Sequence, residues 1–141
     1  MVSRTVVLSD DARAALERAA AEAAPREMVG LLAGTSAFAV ERFVPVAGAA
    51  CTEDHFTMPA AVFAAAEAAC RARGERWLGF AHSHPRGSTA LSAADRAFLW
   101  RDCLQLVVVP GGDGTTRIGA YWLTKDRVDT LAIGRAEAAP A

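Results

Sequence analysis

Residues 76–100 read RWLGFAHSHPRGSTALSAADRAFLW, and their reading decides the fold. Arg76–Pro85 is an apolar run that ends in His and Pro, which predicts a buried strand closed by Pro85. From Ser92 the pattern Ser-x-x-Asp stands before an apolar run, the capping-box signal that opens a helix. The RGSTAL stretch between them predicts a loop. A strand, a loop and a helix therefore follow one another here, and the β-branched LQLVVV that comes next predicts a further strand.

The rest of the chain extends this alternation. GDG predicts a turn after LQLVVVPGG, and TTRIGAYWLT a strand paired antiparallel to it. RVDTLAIG predicts a last strand, and residues 135–141 a flexible tail. Upstream, TVVL predicts a short first strand. SDDARAALERAAAEAA predicts a helix capped by Ser9 or Asp10 and ended near Pro25. EMVGLLAG predicts a buried strand or strand-plus-turn. FAVERFVPVA is β-rich, and Pro45 assigns it to an edge or a bulge. HFTMPAAVFAAAEAACRARG predicts an extended piece and then a helix, with Pro59 near its first turn and Gly74 as its stop. SAADRAFLWRDC predicts a third helix. About three helices and six strands in mixed order predict an α/β fold. Its sheet has mixed direction, with helices packed on it, in one domain over residues 1–134.

The 141 residues are enough for one ordinary domain, and 52% apolar with 22% charged residues excludes a disordered chain. A net charge of −1 with scattered Arg residues gives no nucleic-acid surface. MVSRTVVLSD turns polar too early for an export signal. MPAAVFAAAEAAC, broken by Glu67, is short of the ~20 residues of a membrane span. A cytoplasmic protein without a membrane partner is expected. Cys51, Cys70 and Cys103 are odd in number and widely spaced, which fits neither a disulfide framework nor a zinc knuckle. Cys70 and Cys103 read as buried free thiols in apolar helical surroundings. Cys51 lies in a loop-like stretch without assignment. Trp77, Trp100 and Trp122 read as core or edge packing.

His82 and His84 are two apart on a strand, so alternation gives them one face and Ser83 the other. Two imidazoles on one face can each give a nitrogen to one metal ion, although such pairs also occur as packed residues. Two readings likewise stand for Ser92 and Asp95. In one they only start a helix. In the other, Asp95 completes a His2Asp set with an open fourth position, and Ser92, one turn away on the same face, donates to a polarised carbonyl. Glu27, ahead of MVGLLAG, is a candidate general base or a solvent-facing loop acid.

Together Glu27, the following MVGLLAG and His82-Ser83-His84-Pro85, with seven residues between His84 and Ser92 and then Ser92-x-x-Asp95, resemble the JAMM (MPN+) metalloprotease motif. Every signature position is filled. The resemblance implies that His82, His84 and Asp95 bind one zinc ion. It implies that Glu27 activates the zinc water and that Ser92 helps hold the oxyanion. It also implies a largely antiparallel, twisted and partly closed sheet packed between helices, with cytidine-deaminase-like layering. The implied activity is that of an isopeptidase or peptidase cutting after the C-terminal Gly of a ubiquitin-like protein. Fifty-four residues between Glu27 and His82, and forty-six after Asp95, leave little room for long insertions. The chain thus resembles the minimal prokaryotic type, similar to peptidases that trim ubiquitin-like sulfur carriers. The rival expectation is a non-catalytic MPN-type scaffold. One departure is Ala90-Leu91 ahead of Ser92, where many relatives carry a Pro. His55 matches no signature position and reads as structural or near the site.

Overall fold

The computed structural model describes residues 4–46, 49–51, 56–111 and 115–135. The first half runs β1 (Thr5–Leu8), α1 (Asp10–Ala23), β2 (Val29–Gly34), β3 (Ala39–Val40), β4 (Arg42–Pro45), β5 (Ala50–Cys51), β6 (Phe56–Thr57) and α2 (Ala60–Ala72). The second half runs β7 (Arg76–Ser83), α3 (Ala93–Phe98), β8 (Leu104–Val109), β9 (Arg117–Leu123) and β10 (Val128–Arg135). His55, the GDG turn and residues 136–141 lie outside the described residues. Arg135, expected to begin the tail, is instead the last residue of β10, in register with Leu8.

Eight strands form one mixed sheet in the order β3-β1-β10-β9-β8-β7-β2-β4, and β5 pairs with β6 apart from it. β2–β4, β2–β7, β8–β9 and β9–β10 are antiparallel, while β1–β3, β1–β10 and β7–β8 are parallel. The two edges, β3 and β4, are separated in sequence only by Glu41. The Glu41 N–H donates to the Ala33 carbonyl at 3.0 Å, and Ser9 N–H to Val40 at 2.9 Å. A single residue thus joins the two edges, and the sheet is nearly closed. The FAVERFVPVA stretch is two strands for this reason, and Pro45 does lie on an edge strand.

Helix α1 starts where Ser9 Oγ accepts the Ala12 N–H, with Asp10 and Asp11 favouring the positive end of the helix dipole. Ala12, Leu16 and Ala20 form its buried stripe, packed on Leu32, Leu106 and Val108. Full burial of a side chain such as Leu16 stabilises by roughly 1.5–3 kcal/mol. On the opposite face, Phe63 and Ala66 of α2 pack against Leu31 and Phe80. Gly74, at φ +79°, ends α2 in the left-handed region, the stop expected of it. The sheet register shifts between Leu32 and Ala33, leaving Leu78 as an extra residue in β7. Trp77 and Phe80 therefore share the α2 face, and Leu78 and Ala81 the α1 face. Gly79 has no side chain because a Cβ there would run into the Leu104 backbone of β8.

Parallel β7 and β8 require a crossover, which the loop after Pro85 and α3 supply. The expected helix over residues 92–103 is only six residues long. Leu99 turns extended and Asp102 adopts φ +60°, which returns the chain to β8 in time to pair beside β7. Cys103 is therefore not helical, although it is a buried free thiol, as is Cys70 on α2. Among the described residues no helix is long and apolar enough to cross a membrane.

Candidate metal centre

β7 ends at the site. His82 is fully buried and His84 half-buried on the α3 side of the sheet, and the buried Ser83 points to the α1 side. There Ser83 Oγ accepts the Met28 N–H at 2.7 Å, while Ser83 N–H donates to the Met28 carbonyl at 3.0 Å. These bonds carry the β2–β7 ladder one pair beyond Val29 opposite His82. Glu27 directly precedes Met28, just ahead of β2. Glu27 is buried, with 4% exposure, so it is not a solvent-facing loop acid. Its charge bears on both His84 and Cys51, the latter half-buried on β5.

Asp95 comes from α3. Ser92 Oγ accepts the Asp95 N–H and Asp95 Oδ2 accepts the Ser92 N–H, each at 3.0 Å, so the expected capping box is formed. The same carboxylate faces both imidazoles, with Oδ2 2.9 Å from His84 Nε2 and Oδ1 3.2 Å from His82 Nε2. The two readings of the quartet are one structure, because the cap aims the carboxylate. Burial opposes the Asp95 charge, but hydrogen bonds from His82, His84 and the Ser92 N–H outweigh it. Its carboxyl is held well below the usual carboxylate range. The bond to Asp95 raises the His84 pKa against the opposing effect of burial, and the Ser88 carbonyl adds to the rise.

The donor set fits a metal ion. His82 Nε2 and His84 Nε2 are 3.2 Å apart and face different oxygens of the Asp95 carboxylate, at 3.2 and 2.9 Å, so that one donor atom from each residue lies within 4.8 Å of the others. Tetrahedral bonds of about 2.0–2.1 Å set ligand atoms about 3.3 Å from one another. His82, His84 and Asp95 are the group of described residues that could hold a metal ion. The His84 Nδ1 lies 2.9 Å from the Ser88 carbonyl and must carry the proton there, which leaves Nε2 as the ligand atom. Ser92 is exposed at the mouth. Its oxygen serves the cap, and its hydroxyl proton is left for another acceptor.

Beside Asp95 opens a largely apolar cavity of about 580 Å³, bounded by Phe56, Met58, Phe80, Phe98 and Trp100. Phe98 is 83% exposed and Trp100 41%. Trp100 is thus not simply core: it stands edge-on to Phe63 and Phe80 at the rim. Trp77 packs in the α2-side core, and Trp122 packs against Phe38. The sequence reading missed this cavity because Phe98 and Trp100 were counted into the helix. Two aromatics at the end of a short capped helix, Phe98 as its last residue and Trp100 just beyond, were its signal.

A family model described as prokaryotic homologs of the JAB domain matches residues 9–124. The chain belongs to this family. No curated protein matches it. Among solved structures, a Desulfitobacterium hafniense protein is similar at TM-score 0.83 and 26% identity, with 94% of each chain covered. A JAB1/MPN domain protein from Archaeoglobus fulgidus has TM-score 0.59 and 19% identity over 92% of this chain and 98% of its own. A Salinibacter ruber protein has TM-score 0.67 and 17% identity over 96% and 95%. The nearly closed mixed sheet with three helices is therefore the JAB/MPN fold, as the resemblance implied.

Proposed function

We propose that this JAB-domain protein is a zinc-dependent isopeptidase or peptidase. Its substrate is the amide bond after the C-terminal Gly of a ubiquitin-like or sulfur-carrier protein. The observation that carries the reading is the buried Glu27, whose charge acts on His84, beside three converging ligand groups. A structural ion pair would need no second buried carboxylate.

His82, His84 and Asp95 are the zinc ligands in this reading. Zinc supplies Lewis acidity, polarising a carbonyl and bringing the pKa of water toward about 7. Glu27 accepts the proton of the attacking water at its carboxylate and delivers it to the leaving amine nitrogen. The Ser92 hydroxyl donates to the carbonyl oxygen as negative charge gathers there. A Gly-rich tail offers mainly backbone hydrogen bonds, so it is held extended along a strand edge. β6 pairs only with β5 among the described strands, and it borders the apolar cavity beside Asp95. An apolar side chain of the tail fits that cavity.

The test is cleavage of a carrier–peptide fusion followed by intact mass. Glu27→Gln should retain zinc and lose cleavage by a factor of about 10² or more. Equal cleavage by the variant and the wild type would reject Glu27 as the base. Zinc bound by a wild-type chain that cleaves no fusion would favour the non-catalytic scaffold instead.

A further inference from the structure

The loop between His84 and Ser92 lies along β9. Gly119, Tyr121 and Leu123 face it, while Ile118, Ala120 and Trp122 face the α1 core. The Arg117 guanidinium donates to the Gly87 carbonyl at 3.4 Å, and the Tyr121 hydroxyl to the Thr89 carbonyl at 2.6 Å. Leu91 is buried against the cluster that holds Leu99, Val107 and Leu123. The loop thus steps along the strand with Gly87 by Arg117, Thr89 by Tyr121 and Leu91 by Leu123.

Gly119 lets it come this close. A Cβ there would stand 2.9 Å from the Thr89 oxygen, 3.0 Å from the Tyr121 hydroxyl and 3.1 Å from the Thr89 Cβ. Contacts of that length force the loop outward. One residue before Thr89 is Ser88, whose carbonyl accepts the His84 Nδ1–H hydrogen bond, and the Ser88 hydroxyl accepts the Ala90 N–H. Ala90 and Leu91 stand directly ahead of Ser92, and the one Pro of the loop is Pro85 at its start.

We propose that Tyr121 and Gly119 form a brace that positions the metal ligand His84 through the Thr89 and Ser88 backbone. Tyr121 is a positioning residue and touches neither metal nor substrate. The brace holds the loop by a hydrogen bond and by close packing. It keeps the Ser88 carbonyl aimed at Nδ1, which fixes the His84 tautomer and ring orientation. Hydrogen-bond partners behind metal ligands set metal affinity by factors of about 10–100. This proposal rests on the reading of His82, His84 and Asp95 as metal ligands.

The experiment measures zinc dissociation constants by competition with a chromophoric chelator, and the imidazole ¹⁵N shifts of the metal-free chain. Tyr121→Phe keeps the ring packed and removes only the hydroxyl. It should weaken zinc about tenfold and shift the His84 Nδ1 resonance of the metal-free chain as its hydrogen bond to the Ser88 carbonyl loosens. Gly119→Ala should act in the same direction, because its Cβ crowds both the Thr89 carbonyl and the Tyr121 hydroxyl that bonds it. Val128→Ala trims the same apolar cluster without touching the loop, and should leave affinity within about twofold. Affinity within about twofold of wild type in both Tyr121→Phe and Gly119→Ala would overturn the brace. So would an equal loss in Val128→Ala, which marks general loosening. A wild-type chain that binds no zinc would instead overturn the metal reading, and the Nδ1 resonance would still judge the brace.

Discussion

Ser83→Ala tests how the two halves of the site are joined. Ser83 lies between the two His ligands but on the other face of β7, where its Oγ is the acceptor for the Met28 N–H at 2.7 Å. Ser83 is fully buried and Met28 nearly so. Alanine leaves that N–H without an acceptor, because the remaining bond uses the Met28 carbonyl. An orphaned buried donor costs about 1–3 kcal/mol. With a urea m-value of about 2 kcal/mol/M, the unfolding midpoint should fall by about 1 M at unchanged m. Amide exchange at Met28 should quicken. Cleavage should fall through kcat, because Glu27 is held by the residue next to it, while zinc affinity changes little. A midpoint shift under about 0.2 M, or zinc loss as severe as in His84→Ala, would refute the reasoning.

Two further outcomes are expected. The Arg42 guanidinium, 2.6 Å from Glu75, holds the Glu75 carboxyl below its ordinary value, so the bridge stabilises above that value and its contribution is lost as pH falls through the folded value. Glu75→Gln should therefore cost about 1 kcal/mol near pH 7 and progressively less on acidification below about pH 4; a pH-independent difference in urea titrations would contradict this. Phe98→Ser, at an exposed position on the cavity rim, should leave stability within about 0.5 kcal/mol and raise KM for the carrier fusion several-fold. A fall in kcat alone would contradict a role in binding.

What the sequence made legible is local. His82, His84, Ser92 and Asp95 lie within one strand–loop–helix unit, and the physics of alternation and capping places them without reference to the rest of the chain. Glu27 needed the resemblance, because the pairing of β2 with β7 that brings its charge to bear on His84 is not encoded in sequence periodicity. Register also explains the split of FAVERFVPVA, whose two halves join opposite edges of the sheet. Helix propensity favours continuing through Leu99-Trp100, yet α3 stops because Leu99 is needed in the cluster under the loop and the chain must reach β8. Tyr121 and Gly119 carried no signal at all. Their partners lie about thirty residues away, and a Gly required by a neighbouring loop looks like any other Gly in a strand.

The central claim is that two imidazoles and one carboxylate, gathered by a strand end and a capped helix, hold a zinc ion. Zinc titrated into metal-free protein, followed by isothermal calorimetry, tests it most directly. The account predicts about one ion per chain in the wild type, and loss of that site in Asp95→Ala. No binding by the wild type, or equal stoichiometry and affinity in Asp95→Ala, would contradict it.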